Sequence, residues 1–274
     1  MLLPLLLIAA LPLAVAAWLW GPPLWAEQRR MRQRRRPFPA AWREILRQRW
    51  PYFARLPADL QLQLKKHIQV FVAEKPFIGC NGLVVTEEMR VLIAAQASLL
   101  LLNRRAGYFP KLRQVLVYPG AFVVDRVQRD AMGLESAGRR VLSGESWQQG
   151  QVILSWDDVL AGAAVADDGR NVVIHEFAHQ LDQESGAANG APFLGRRERY
   201  ARWAATLGAA YAQLCEQVAR GEPTLIDAYG ASDPAEFFAV ASETFFEQPQ
   251  ALAAEQPALY RELAGYYRAD PLSW

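Results

Sequence analysis

The feature that most limits how this chain folds is NVVIHEFAHQLD, residues 171–182. It holds two of the only three histidines in 274 residues, four positions apart with a glutamate between them. At about 100° per residue, positions i and i+4 of an α-helix project to one side. The spacing therefore predicts a helix with His175 and His179 on one face, joined there by Asp182. Val173, Ile174, Phe177 and Leu181 take the opposite face, which reads as the side packed into a core. Such a helix needs a core on one flank and room for a bound ion on the other.

The chemistry of that pattern is metal-assisted hydrolysis. Neutral imidazoles bind zinc at about 2.0–2.1 Å and leave a position open for a water whose pKa falls towards ~7. Glu176 sits at the edge of the ligand face, placed to take a proton from that water without binding the ion, as a general base does. An ordinary amphipathic helix would not need scarce histidines at this spacing, so the zinc reading is preferred. Two histidines do not complete a catalytic zinc site. The extended pattern HExxHxxGxxH fails, because Asp182 stands in the glycine position and Ser185 in that of the third histidine. Asp182 suits a hydrogen bond to a ligand histidine better than ligation. His67, beside Lys65 and Lys66, reads as a boundary residue and would complete the site only by coincidence of folding. IDAYGASDPAEFFAVASETFFEQP, residues 226–249, offers glutamates on a second helix. Asp233 is a good N-cap, Pro234 suits the first helical position, and Glu236 follows three residues after the cap. Glu236 also fits the carboxylate of a capping box. Ala239 and Glu243 share its face while phenylalanines crowd the rest, so Glu236 is the first candidate for third ligand and Glu243 the next.

The surrounding sequence predicts an α+β fold. WREILRQRW and LPADLQLQLKKHIQVFVAEK read as helices. TEEMRVLIAAQASLLLLN opens on Thr86 as a cap, and its apolar run is too short to span a bilayer and contains Gln96 and Ser98, which makes it a core helix. QVLVYP (114–119), AFVV (121–124) and residues 151–156 read as short strands, and the chain from Asp167 onward as mainly helical. A hydrolase that binds an extended peptide does so against an edge strand; Val152–Leu154 is the candidate edge, with an interior strand as the alternative.

Residues 1–20 carry no charged side chain and are about long enough for a ~30 Å hydrocarbon core. Trp18 and Trp20 stand where an aromatic belt would, and six arginines follow between Arg29 and Arg36. The expectation is a transmembrane anchor over 1–20, a basic juxtamembrane linker over 21–40 and a catalytic domain over 41–274. Arginine-rich flanks stay inside, so this arrangement predicts a single-pass inner-membrane protein with its catalytic domain in the cytoplasm. A cleaved signal peptide is the rival, favoured by Ala14-Val15-Ala16 and opposed by the lack of a charged leading region. Residues 1–40 hold six of the 30 basic side chains and one of the 28 acids, which leaves the body slightly acidic. That distribution argues against a nucleic-acid partner. Cys80 and Cys215 are too few for a disulfide framework and read as free thiols.

HEFAHQLD followed by IDAYGASDPAEFFAVASETFF resembles the Mlc titration factor A family, zinc peptidases related to the catalytic domain of anthrax lethal factor. VLVYPGAFVVD and SGESWQQGQVILSWDDV are similar to segments of the same family, so the resemblance spans roughly residues 45–270. It implies a zincin-like domain of the gluzincin type: a small mixed sheet, the HExxH helix and a helical C-terminal part. It also implies His175, His179 and Glu236 as zinc ligands, Glu176 as general base, and Tyr229 as the phenol that stabilises the oxyanion. A peptide or protein substrate and aminopeptidase-like cleavage follow from it. So does the alternative of a regulator that binds and sequesters a transcription repressor, with peptidase activity secondary.

Overall fold

The computed structural model describes residues 22–104, 107–129, 135–142, 144–147 and 150–274, with the backbone alone for the described part of 122–147. Helix α1 covers 22–35, within the stretch expected as a linker. It lies against the body through Arg30, whose guanidinium binds both oxygens of Glu74 and stacks on Tyr108. Helices α2 (Ala40–Arg49), α3 (Tyr52–Arg55) and α4 (Ala58–Glu74) follow, and Leu60, Leu64, Ile68 and Phe71 give α4 its buried face. His67 on α4 meets the Tyr108 hydroxyl at 2.9 Å; burial, reinforced by the charge of Arg34, lowers its imidazole to about 4.

Helix α5 (Glu87–Leu99) is the central core helix. Thr86 accepts from the Met89 N–H at its start, and every residue from Val91 to Leu99 is buried. Strand β1 (Phe77–Gly79) precedes it and β2 (Gln114–Tyr118) follows. A helical crossover of this kind makes the two strands parallel. Buried Lys75 closes the loop before β2 by donating to the Phe109 and Leu112 carbonyls at 2.7 and 2.9 Å, and burial lowers its amine to about 8. The loop thereby presents Phe109 to the interior.

After β2 the chain forms an antiparallel hairpin of its own, β3 (Phe122–Arg129) with β4 (Glu135–Leu142), which takes in the expected 121–124 strand. β5 (Gly144–Trp147) and β6 (Gln151–Ser155) then rejoin the main sheet, whose order is β1-β2-β6-β5 with only β5 antiparallel. Val152–Leu154 is consequently not an edge: β6 lies between β2 and β5, and β5 is the edge. The physical reason is visible in composition, since an interior strand is buried on both faces and reads as continuous apolar sequence. VIL does so, whereas GESW does not.

Ser155 caps α6 (Trp156–Ala164), Asn171 caps α7 (Val172–Asp182), and α8 (Arg197–Ala219) returns along the C-terminal part. Helices α9 (Pro234–Glu247), α10 (Pro249–Glu255) and α11 (Pro257–Tyr267) each begin with proline at the first position, where a missing N–H costs nothing. α9 is buried from Phe237 to Glu247 and its aromatics pack on Trp203 and Tyr267. The whole is α+β: a small, mostly parallel sheet among many helices, with α7 set between sheet, α5 and α9.

The expected single-pass membrane topology is corrected. Among the described residues no helix is long and apolar enough to cross a membrane. The run at 1–20 lies outside the described residues, and α1, which follows it, is dense with arginine.

Candidate metal centre

The core face of α7 fixes its rotation. Val173, Ile174, Phe177 and Leu181 are all buried, and Phe177 packs on Phe109 and Phe71 with ring centroids 4.7 and 5.6 Å away. Each such pair adds about 0.5–1.5 kcal/mol to the burial itself. With that face locked, His175 and His179 turn towards α9. Asp233 accepts the Ala235 and Glu236 N–H groups and so starts α9 two residues before Glu236. Glu236 does not close a capping box; its carboxylate points to the histidines.

Three atoms converge. His175 Nε2 lies 3.0 Å from Glu236 Oε2, His179 Nε2 lies 3.3 Å from the same oxygen, and the two nitrogens are 3.2 Å apart. Among the described residues this is the one cluster of three or more such side chains able to hold a metal ion. Bonds of about 2.0–2.1 Å at tetrahedral angles put ligand atoms about 3.3 Å apart, so the triangle matches one face of a zinc tetrahedron. The donor chemistry agrees. Glu243 Oε1 is 2.8 Å from His175 Nδ1; a carboxylate accepts, so Nδ1 carries the proton and Nε2 turns a lone pair inward. Electron-pair donors facing one another at this range need a cation between them.

The electrostatics carry the same message. Burial pushes the His175 imidazolium down, but hydrogen bonds to Glu236 and Glu243 outweigh it and hold the ring protonated well above its usual range. Burial pushes the Glu236 carboxyl up, yet the two imidazoles overcome this and hold it far below the usual carboxylate range. Without a metal, a proton takes its place. Metal uptake then releases that proton.

Glu176 lies on α7 between the two ligand candidates and is buried. Tyr229 sits on a single turn, Ala228–Ala231, and its N–H donates to the Asp227 side chain that caps the turn. Its ring centroid is 6.1 Å from that of His175, and it is 45% exposed. In isolation it reads as one more buried tyrosine; here it stands on the solvent side of the cluster. His67 is elsewhere, on α4. Asp182 is fully buried but does not orient a histidine: its Oδ2 accepts from the Asn189 and Gly190 N–H groups at 2.9 and 2.7 Å.

Glu243, the second candidate for third ligand, instead supports His175, together with several residues that sequence reasoning missed. Glu243 accepts the Asn171 N–H with its second oxygen. The Asn171 side chain caps α7 through Ile174 N–H and donates to Gln96, Gly162 and Glu247. Glu247 also accepts the Arg170 N–H. Burial, with Asp168 and Glu243 nearby, pushes its carboxyl up to about 8 even though Asn171 donates to it. Gln96, a polar interruption in an apolar helix, and Glu247, four residues beyond Glu243, were the available signals.

Residues 25–268 match the family described as glucose-regulated metallo-peptidase M90. An uncharacterized Synechocystis protein is 42% identical over 272 residues, 99% of each chain. The Mlc titration factor A proteins of Yersinia enterocolitica and Yersinia pestis are each 35% identical over 237 residues, covering 85% of this chain and 87% and 86% of theirs. The family match over nearly the whole described body, and relatives above 30% identity along most of their length, identify this chain as a member of the M90 metallopeptidase family.

Proposed function

We propose that the chain is a zinc-dependent peptidase of aminopeptidase-like action, a zincin-like domain of the gluzincin type occupying residues 41–274. His175, His179 and Glu236 hold the ion. When bound, zinc supplies Lewis acidity that polarises a peptide carbonyl and acidifies a water. Glu176 takes the proton of the attacking water and hands it to the leaving amine. The Tyr229 phenol donates a hydrogen bond to the oxygen on which negative charge develops. Glu243 keeps His175 in the tautomer that turns Nε2 inward. An extended substrate pairs along the outer edge of β5, which lies beside α7 and has no strand partner on that side among the described residues.

The observation that carries this reading is the triangle of donor atoms 3.0–3.3 Å apart, two from the HExxH helix and one from α9. The test is zinc content and hydrolysis of short peptides by the purified chain, beside Glu176→Gln. Bound zinc in both, with hydrolysis lost only in the variant, is expected; a native chain that takes up no zinc refutes it. The name of the Yersinia relatives favours a second activity, binding of a transcription repressor of the Mlc kind. A repressor recovered equally by the native chain and by Glu176→Gln supports a partner role separate from hydrolysis.

A further inference from the structure

Two helices bring the metal ligands, and they meet at a glycine. The loop after α7 is held at Gly190 from three sides. Asp182, the last residue of α7, accepts the Gly190 and Asn189 N–H groups. Trp203 on α8 donates its indole N–H to the Gly190 carbonyl at 2.7 Å. The third side is the backbone of Pro234, the first residue of α9. Gly190 has φ +76, and a Cβ placed on it would stand 2.3 Å from the Pro234 oxygen, where real Cβ atoms essentially never come within 3.0 Å. Pro234 is two residues from Glu236, and Asp182 is three residues from His179.

We propose that Asp182, Gly190 and Trp203 form a strut that sets the distance between α7 and α9, and so positions Glu236 against the two imidazoles. The proposal rests on the zinc reading above. Its force comes from tolerance. Zinc bond lengths hold within about ±0.2 Å, whereas relieving the clash of an added Cβ requires a shift of roughly 0.7 Å. The loop is poorly placed to absorb that shift alone. Asp182 and Trp203 are both buried, and Trp203 is wedged against Phe238 of α9 and Tyr266 of α11. These residues touch neither metal nor substrate; they are positioning residues.

The molecule contains its own control. Gly195 has φ +81, nearly the same backbone strain for a substituted alanine, but nothing lies within 4 Å of its added Cβ. Zinc affinity of the full chain is measured by chelator competition for the native protein, Gly190→Ala, Gly195→Ala and Trp203→Phe. The cobalt(II) absorption spectrum of each reports coordination geometry. Gly190→Ala is expected to bind zinc about 10–100-fold more weakly, the usual effect of disturbing the residues around a ligand, with an altered cobalt spectrum. Gly195→Ala is expected to match the native protein in both. Trp203→Phe, which keeps the packing and loses the donor, shifts affinity in the same direction and decides the matter if Gly190→Ala fails to fold. Native-like zinc affinity and cobalt spectra in the folded variants overturn the strut while leaving the zinc reading intact. A native chain without zinc affinity overturns both.

Discussion

Replacing Glu247 by glutamine tests the electrostatic logic of the site without touching a ligand. The side chain is buried beside Asp168 and Glu243, and its carboxyl is pushed up from 4.5 to about 8. The folded protein therefore keeps a proton that the unfolded chain gives up from about pH 4.5 onward. Unfolding releases that proton, so this group's contribution is fully present below pH 4.5, falls as pH rises, and levels off above about 8. Each pH unit in that window is worth about 1.4 kcal/mol, which makes the whole span on the order of 5 kcal/mol. Glutamine has no such proton. Its amide presents a donor where Glu247 accepts from Arg170 N–H or Asn171, a misfit of about 1–3 kcal/mol that does not vary with pH. The assay is urea unfolding of the metal-free native chain and of Glu247→Gln at half-unit steps from pH 5 to 8.5. Titrations of groups other than the adjoining Asp168 and Glu243 are common to both proteins and cancel in the difference. The variant is expected to gain on the native chain steadily across the window. A difference that stays flat with pH would show that Glu247 is ionised in the folded state and that the reasoning is wrong.

Two further outcomes follow from the site. Tyr229→Phe removes one donor from the developing oxyanion and should lower kcat by about 10²–10³-fold with KM nearly unchanged; a change confined to KM, in steady-state assays on a short peptide, would contradict that role. Glu243→Gln leaves an acceptor for His175 Nδ1 only by turning its amide towards the Asn171 N–H, two donors face to face. Zinc affinity should fall about 10–100-fold by chelator competition, and unchanged affinity would remove Glu243 from any part in holding the ring.

What was legible in the sequence divides along a physical line. Within one helix the period of 3.6 fixes directions, so His175, His179 and the core face of α7 could be read from spacing, and Thr86 and Asp233 could be read as caps from local chemistry. Which residue of another helix arrives opposite the histidines is set by packing. Glu236 was accordingly one of two glutamates on a promising stripe, and Tyr229 was visible only through family resemblance. The misplaced edge strand has a different cause: strand order in a sheet with crossovers does not follow chain order, although the apolar density of VIL already favoured an interior place. Asp182 was correctly seen on the histidine side of α7. At the helix end its carboxylate found nearer partners in the backbone of the next loop.

The acids of α9 explain why this place should hold a divalent cation at all. Glu236, Glu243 and Glu247 lie along one face of a buried helix, among four phenylalanines. Among the described residues none of the three pairs with a lysine or arginine side chain; their hydrogen-bond partners are two imidazoles, the Asn171 amide, two backbone N–H groups and, for Glu247, the Asp168 side chain. Removing carboxylates from water is costly unless charge is supplied in return. The N-terminus of α7 returns part of it through the Arg170 and Asn171 N–H groups and the helix dipole, and Glu247 avoids the remainder by keeping its proton. Glu236 and Glu243 both lie against His175, and the two imidazoles hold the Glu236 carboxyl far below the usual carboxylate range. A doubly charged ion at the point where Glu236 meets the histidines supplies the charge that this buried carboxylate and the inward lone pairs call for. Its binding energy then appears as folding energy, so the metal belongs to the stability of the α7–α9 interface as much as to the chemistry carried out there.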